Sequence, residues 1–418
     1  MIVRSPRPQD LEMPIDGFQE WITPIDRFFV RCHTYTPEVK AADWTLKVDG
    51  SVDRPSAFTL ADIKKLPRVE LVGVLECAGN GRSFYQPRVA GTQWAYGAAG
   101  NGRWAGARLA DVLRKAAIKD SAEHILCDGA DVALGKMPDF QRTIPVQKAL
   151  DADTLLAYEM NGRPLSAEHG FPLRVIAPGW AGDSWVKWLQ HIEVLDHDFD
   201  GFWMKTAYRH PKQPVAPGAA VDPKDMIPVT DLNVKSIIAA PQSWVKPGAV
   251  KIQGAAWSNS SPVSKVDVST DGGKQWRAAK LLGEKTKYGW RLWQCDWKAE
   301  EGRHDLIARA TNEAGQAQPL SEEWNPSGYL WNVAQVQTIT VSAQAPAAAP
   351  EPAEHATEPA PEGYKAACFA CHDEHMMRQQ RLTRAQWDRE LNKMTGWGAE
   401  IKPQDRDAIL NYLSSRFQ

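Results

Sequence analysis

Two placements of cysteine in this chain could do chemistry. The first is Cys-Phe-Ala-Cys-His at residues 368 to 372. Thiols at this spacing can bond covalently to the vinyl groups of a haem, and the adjacent imidazole can bind its iron. The same pattern could serve as a redox pair or as half of a zinc site. Zinc would need a second pair of ligands, and the rest of the tail offers only His375. A thioredoxin-like pair would need a βαβ unit, which so short a tail does not supply. Attachment of haem c through Cys368 and Cys371, with His372 on the iron, is the reading the residues favour. For the sixth ligand, Met376 and Met377 follow His372 too closely to cross the ring, so Met394 is preferred.

The second placement is Cys77, where an apolar run over residues 69 to 75 ends in Glu-Cys-Ala-Gly-Asn-Gly-Arg. A lone cysteine in an arginine-lined turn is placed to ionise easily and to bind a soft metal. An inert packing cysteine is the alternative. Cys32, Cys127 and Cys295 lie too far away to suggest a disulfide framework.

These sites need elements to hold them. A chain of 418 residues is too long for one typical core, so two or three domains are expected. Hydrophobic residues make up 43% and charged residues 24%, an ordinary globular composition. The 49 basic side chains nearly balance the 51 acidic ones, so no field attracts nucleic acid or a membrane surface. No apolar run approaches the ~20 residues that span a bilayer. The 18 tryptophans are expected mostly in cores.

Residues 343 to 362 are almost entirely Ala, Pro and Glu and read as an extended linker before a small all-α tail at 363–418. In the tail, Thr383 and Gln386 form a capping-box pattern, Trp387 and Leu391 share a helix face, and Pro403 opens a last helix. Residues 231–342 alternate with period two, with a hairpin signal at Asp-Gly-Gly, and read as a β-sandwich. Residues 1–230 are mixed, with more strand than helix: 59–66 and 108–118 read as helices, 171–179 and 188–196 as strands. The class is therefore α+β, followed by a sandwich and a helical tail.

Several ordered motifs resemble the sulfite oxidase family of molybdenum enzymes. They are FFVRCH at 28–33, ECAGNGRSF at 76–84, RWAGARLADVL at 103–113, the stretch 155–179 and WVKWL at 185–189. KVDVSTDGGKQWRAAKL and EEWNPSG resemble the family's second domain, and the likeness runs from about residue 25 to 340. The tail resembles the small cytochrome c subunits that partner bacterial sulfite dehydrogenases. The resemblance implies a sulfite-oxidase-type molybdopterin domain with Cys77 as the thiolate on molybdenum. It implies pterin contacts from Phe29, Val30, Arg31, Cys32, His33, Asp131, His169, Arg174, Ser184, Trp185, Val186 and Lys187, with Arg174 and Lys187 suited to its phosphate. Arg31, Arg82, His33 and Tyr208 are implied at the substrate. Two positions depart from the pattern: Ser327 stands where some members carry arginine, and Cys32 where asparagine is usual.

The expectation is oxidation of sulfite to sulfate, with electrons leaving through haem c to an external cytochrome c. A related enzyme acting on protein-bound sulfane sulfur is the nearest alternative. From another class, a haem electron carrier or binding module with no catalysis would contain iron without molybdenum. The second domain is immunoglobulin-like and implied to mediate a homodimer, its Trp-rich strands supplying an apolar interface. The first ten residues lack the regions of a secretory signal. Covalent haem of this type is attached outside the bacterial cytoplasm in the families it resembles. A periplasmic protein is therefore expected, with its export signal absent from this sequence.

Overall fold

The computed structural model describes residues 1–346 and 359–417. Most of the Ala/Pro/Glu linker falls outside them. The catalytic body is built on two five-stranded sheets. One runs Arg163–Pro164, Leu155–Met160, Ala99–Arg108, Arg68–Glu76, with Arg174–Ile176 also on Leu155–Met160. The other runs Ser56–Thr59, Thr45–Gly50, Leu189–Leu195, His124–Gly129, Gln141–Pro145. Leu109–Ala116 is a helix whose Leu109, Val112 and Leu113 enter a core with Leu46, Ile125, Val175 and Ile192. A small sheet of Ile2–Pro6, Gln9–Glu12 and Val30–Arg31 closes one side.

The Arg68–Glu76 strand pairs with Ala99–Arg108 along its whole length, up to Glu76 opposite Ala99. Cys77 follows at once, its N–H bonded to the Ala98 carbonyl at 2.9 Å, and its own carbonyl accepts from Asn80 N–H at 2.9 Å. A strand whose last five residues, Val72 to Glu76, are all buried thus ends in a hydrogen-bonded turn, and the thiol is placed by the sheet rather than by a free loop.

The second domain is the expected sandwich, with sheets Lys235–Ala240, Gly248–Trp257, Arg291–Ala299, Lys280–Leu282 and Trp244–Val245, Val336–Val341, Gly302–Asn312, Val263–Ser269, Arg277–Ala278. The Asp-Gly-Gly signal is a hairpin with Asp267 opposite Ala278. The Trp-rich strand does not supply an outer apolar face. Trp293, Cys295 and Trp297 all point into the sandwich core, and Trp290 packs against the body with Phe18 and Trp257. Period-two patterning marks one buried face here, and that face turns inward.

The two domains are joined by a buried ion pair. Glu76, beside Cys77, accepts from Lys235 of the second domain, from Trp257 Nε1 at 2.7 Å and from Asn80 Nδ2 at 2.8 Å. Both charged side chains are buried.

The tail forms helices Tyr364–Cys368, His375–Arg378, Arg384–Gly396 and Pro403–Arg416. Thr383 and Gln386 complete the capping box, and Pro403 sits in the first turn. The unit packs on the body. Arg7 donates to the Phe369 carbonyl, and Asp373 N–H to the Arg7 carbonyl at 3.2 Å. Gln386 donates to the Arg88 carbonyl at 2.8 Å, and Lys136 N–H to the Trp397 carbonyl at 2.9 Å. The Trp397 ring meets Phe202 at 5.6 Å and Trp203 at 6.1 Å.

Truncating Glu76 leaves Lys235 as an unpaired buried cation. Glu76→Ala is expected to cost about 3–5 kcal/mol, read by chemical denaturation. A loss below about 1 kcal/mol would show that this pair does not tie the domains.

Candidate active site

The small sheet, the Arg68–Glu76 and Arg174–Ile176 strands and loops beside the second body sheet converge on one cleft. Val30–Arg31, Cys77, the 182–187 segment and the buried Tyr208 all contribute to its lining. Of the residues expected at the site, Phe29, Val30, Arg31, Cys32, His33, Cys77, Asp131, His169, Arg174, Trp185, Val186, Lys187 and Tyr208 line it. Ser184 is buried just behind, in the Gly182–Ser184 turn.

Arg82 is not among the lining residues. Its guanidinium donates to the Thr92 carbonyl at 3.2 Å, reaches the Ser327 carbonyl at 3.5 Å, and lies 5.0 Å over the Tyr329 ring. Gly79, Gly91 and Gly328 press against it, and a Cβ on any of them would come within 3.0 Å of its atoms. The Ser327 departure therefore falls beside Arg82, where a backbone carbonyl is the contact. Cys32 has a contact of its own, since Lys187 Nζ lies 3.4 Å from its sulfur.

The cleft concentrates buried positive charge. Arg174 donates to the carbonyls of His169 and Trp185, both at 2.9 Å, and stacks 5.2 Å over Trp104. Its Nε has no partner among the described residues. Burial alone pulls this guanidinium down to about 9. Lys187 donates to the Glu168 carbonyl at 2.9 Å and lies 4.0 Å over Trp188, and burial lowers its pKa too. Neither cation has a carboxylate partner among the described residues, so an anionic guest would relieve both. Arg31 differs: burial opposes its charge, but Asp10 at 3.3 Å, together with Tyr208, Cys77 and Cys32, raises its pKa on balance.

His33 is neutral. Burial, then Arg31, Lys187 and Arg142, hold its pKa well below the usual range. Its Nε2 shares a 2.8 Å hydrogen bond with the Tyr208 hydroxyl, and its ring stacks on Phe140 at 4.1 Å. Tyr208 adopts φ 53° and is kept protonated by burial. His169 is pulled down to about 4 by burial and by Arg174 and Lys187. The Cys77 thiol is not held in the ionised form in the bare chain: burial raises its pKa, against the pull of Arg31, the Gly79 N–H and Arg82. A soft cation would have to supply the missing stabilisation.

Asp10, Thr92, Phe140, Arg142 and Asp183 were not anticipated. Asp183 accepts from Arg142 Nη2 at 2.5 Å, yet burial pushes its carboxyl up to about 6.

In the tail, Cys368 ends its helix half-buried and Cys371 is exposed, both as free thiols. His372 Nδ1 donates to the Asp373 carbonyl at 3.3 Å, which leaves Nε2 as the free ring nitrogen. Met394 is half-buried on Arg384–Gly396, whereas Met376 packs into the cluster that holds Cys368.

A family model described as the oxidoreductase molybdopterin binding domain matches residues 33–203, and one described as the Mo-co oxidoreductase dimerisation domain matches 226–341. Fold and site together define a molybdopterin oxidoreductase. The chain is 35% identical to sulfite oxidase of Gallus gallus over 78% of its own length and 75% of that protein's. It is 35% identical to mitochondrial sulfite oxidase of Drosophila melanogaster, of which it spans 61%. The crystal structure of the sulfane dehydrogenase SoxCD from Paracoccus pantotrophus superposes with a TM-score of 0.71 at 27% identity, covering 81% of this chain and 88% of that one. The chain belongs to the sulfite oxidase family.

Asp131 is pushed up to about 6 by burial, with Lys187 pulling it back. Its neutral form is favoured in the fold, so its contribution to stability is complete below its ordinary value of 3.8 and is lost as pH rises through about 6. In cofactor-free protein, Asp131→Asn should flatten the decline in stability between about pH 4 and 6, leaving the share due to Asp183. Denaturation midpoints across that range check this, and an unchanged slope would refute it.

Proposed function

We propose that the protein oxidises sulfite to sulfate at a molybdenum–pterin centre bound to Cys77 and passes the electrons, one at a time, to haem c on Cys368, Cys371 and His372. The observation that carries this reading is the meeting of Cys77 with buried, carboxylate-free cations in one cleft. The donor set fits the cofactor. Arg174 and Lys187 would hold its phosphate, Asp131 and His169 the pterin edge, and Phe29, Val30, Cys32, Ser184, Trp185 and Val186 the surrounding walls. The bound metal supplies the oxygen-atom transfer, in which sulfite and water become sulfate, two protons and two electrons.

The chain's own residues set the field. Arg31, fixed by Asp10, attracts the oxyanion. Arg82 adds positive charge from behind the turn. Tyr208 offers a protonated hydroxyl, oriented by neutral His33. Packing of Phe140 and Trp203 around His33 keeps water from that side.

The same aromatic wall supports an electron exit. Trp203 lies 4.7 Å from the His33 ring, and Trp397 of the tail lies 6.1 Å from Trp203. An external cytochrome c would take the electrons from the haem. Met394 is proposed as its axial ligand, and Met376 is the alternative because it already packs near Cys368. The second domain would mediate a homodimer, and covalent haem suits the periplasm.

Likeness to a sulfane dehydrogenase favours a second reading, in which the substrate is sulfane sulfur carried on a partner. Anaerobic mixing with sulfite separates the two: rapid reduction of the haem spectrum supports the first, and none supports the second. Molybdenum and iron analysis separates both from a simple haem carrier, which would hold iron alone.

Cys77→Ser should keep the fold and the haem spectrum but lose nearly all turnover. Sulfite oxidation above a tenth of the normal rate would remove Cys77 from the metal. Arg31→Gln should lower kcat/KM by the worth of one charge-assisted hydrogen bond, about 1.5–3 kcal/mol. An unchanged kcat/KM would remove Arg31 from the substrate site.

A further inference from the structure

Residues 91–93 lie between the C-terminal unit and the cations of the cleft. On the outer side, the buried Gln380 accepts from Gly91 N–H at 3.3 Å and donates to the Gly91 carbonyl at 2.9 Å. Gln379 accepts from Gln93 N–H at 2.7 Å. The tail thus grips the backbone on both sides of Thr92. Gly91 holds φ 121° there, and its α-carbon faces the Arg82 guanidinium.

On the inner side, Thr92 is buried and makes two contacts. Its hydroxyl donates to Asp10 Oδ2 at 2.9 Å, and its carbonyl accepts from Arg82 Nη1 at 3.2 Å. The other oxygen of Asp10 holds Arg31 at 3.3 Å. One residue therefore helps to place both arginines, Arg82 directly and Arg31 through a fully buried carboxylate. Removing the tail would leave the Gly91 N–H and the Gln93 N–H without the partners that now fix them, and the Gly91 carbonyl held by the Gln93 side chain alone.

We propose that Thr92 is a positioning residue for the oxyanion site and that docking of the C-terminal unit through Gln379 and Gln380 sets it, so that the tail tunes anion affinity as well as receiving electrons. This rests on Arg31 and Arg82 serving an oxyanion, as argued above. The coupling is reciprocal: an anion in the cleft tightens the docked tail by the same factor as the tail tightens the anion.

The test uses the full-length, cofactor-loaded protein. Sulfite turnover is measured with an artificial one-electron acceptor that bypasses the haem, and sulfate binding is measured separately by calorimetry without turnover. Gln379→Ala/Gln380→Ala should raise the KM for sulfite and the Kd for sulfate about five-fold or more while kcat holds. Thr92→Val, which keeps the shape and removes the hydroxyl, should weaken sulfate binding at least as much, and Thr92→Ser should restore it. Unchanged KM and Kd in the double variant, or sulfate affinity in Thr92→Val equal to that of the unsubstituted protein, would overturn the coupling. Absence of both sulfite turnover and sulfate binding in the unsubstituted protein would instead overturn the oxyanion reading itself, and the inference with it.

Discussion

The constraint on which this structure turns is positive charge held out of water. Arg31, Arg142, Arg174 and Lys187 surround one cleft, while Asp10 and Asp183 answer only the first two. Taking an ion from water is costly unless partners replace its hydration. The fold meets that cost with carbonyls, indole faces and a cysteine sulfur, arranged by strands that cannot shift. Burial, reinforced by that field, keeps His33 and His169 neutral, so no imidazole competes for the charge an incoming anion is to balance.

The residues that touch the cleft were largely legible because they come in contiguous runs. Residues 29–33 and 185–187 each carry several contacts, and Cys77 stands at an obvious strand end. The residues that hold those contacts in place were not legible. Asp10, Thr92, Arg142 and Asp183 owe their burial to partners far along the chain, and no local pattern records such pairing. Arg82 shows the converse. Its motif was read correctly as an arginine beside the cysteine turn, but which way it points depends on Tyr329 and Gly328 from the other domain. In the sandwich, alternation marked the tryptophan strand as half-buried without saying that the apolar half faces its own core.

Two junctions integrate the molecule. Glu76 and Lys235 join the catalytic turn to the second domain, and residues 91–93 join it to the tail. The aromatic series Phe140, Trp203, Trp397 runs between these junctions and makes contact where the tail is seated.

The three glycines around Arg82 have a consequence for how such a protein can diverge. Gly79 and Gly91 belong to the catalytic body and Gly328 to the second domain, and together they leave room for one guanidinium and nothing more. Shuffling domains between relatives would bring together a cradle and an arginine that had not drifted in step. The boundary near residue 230 is thus a poor crossover point for recombination, however clean it reads as a seam, because the Arg82 cradle is built from both sides of it.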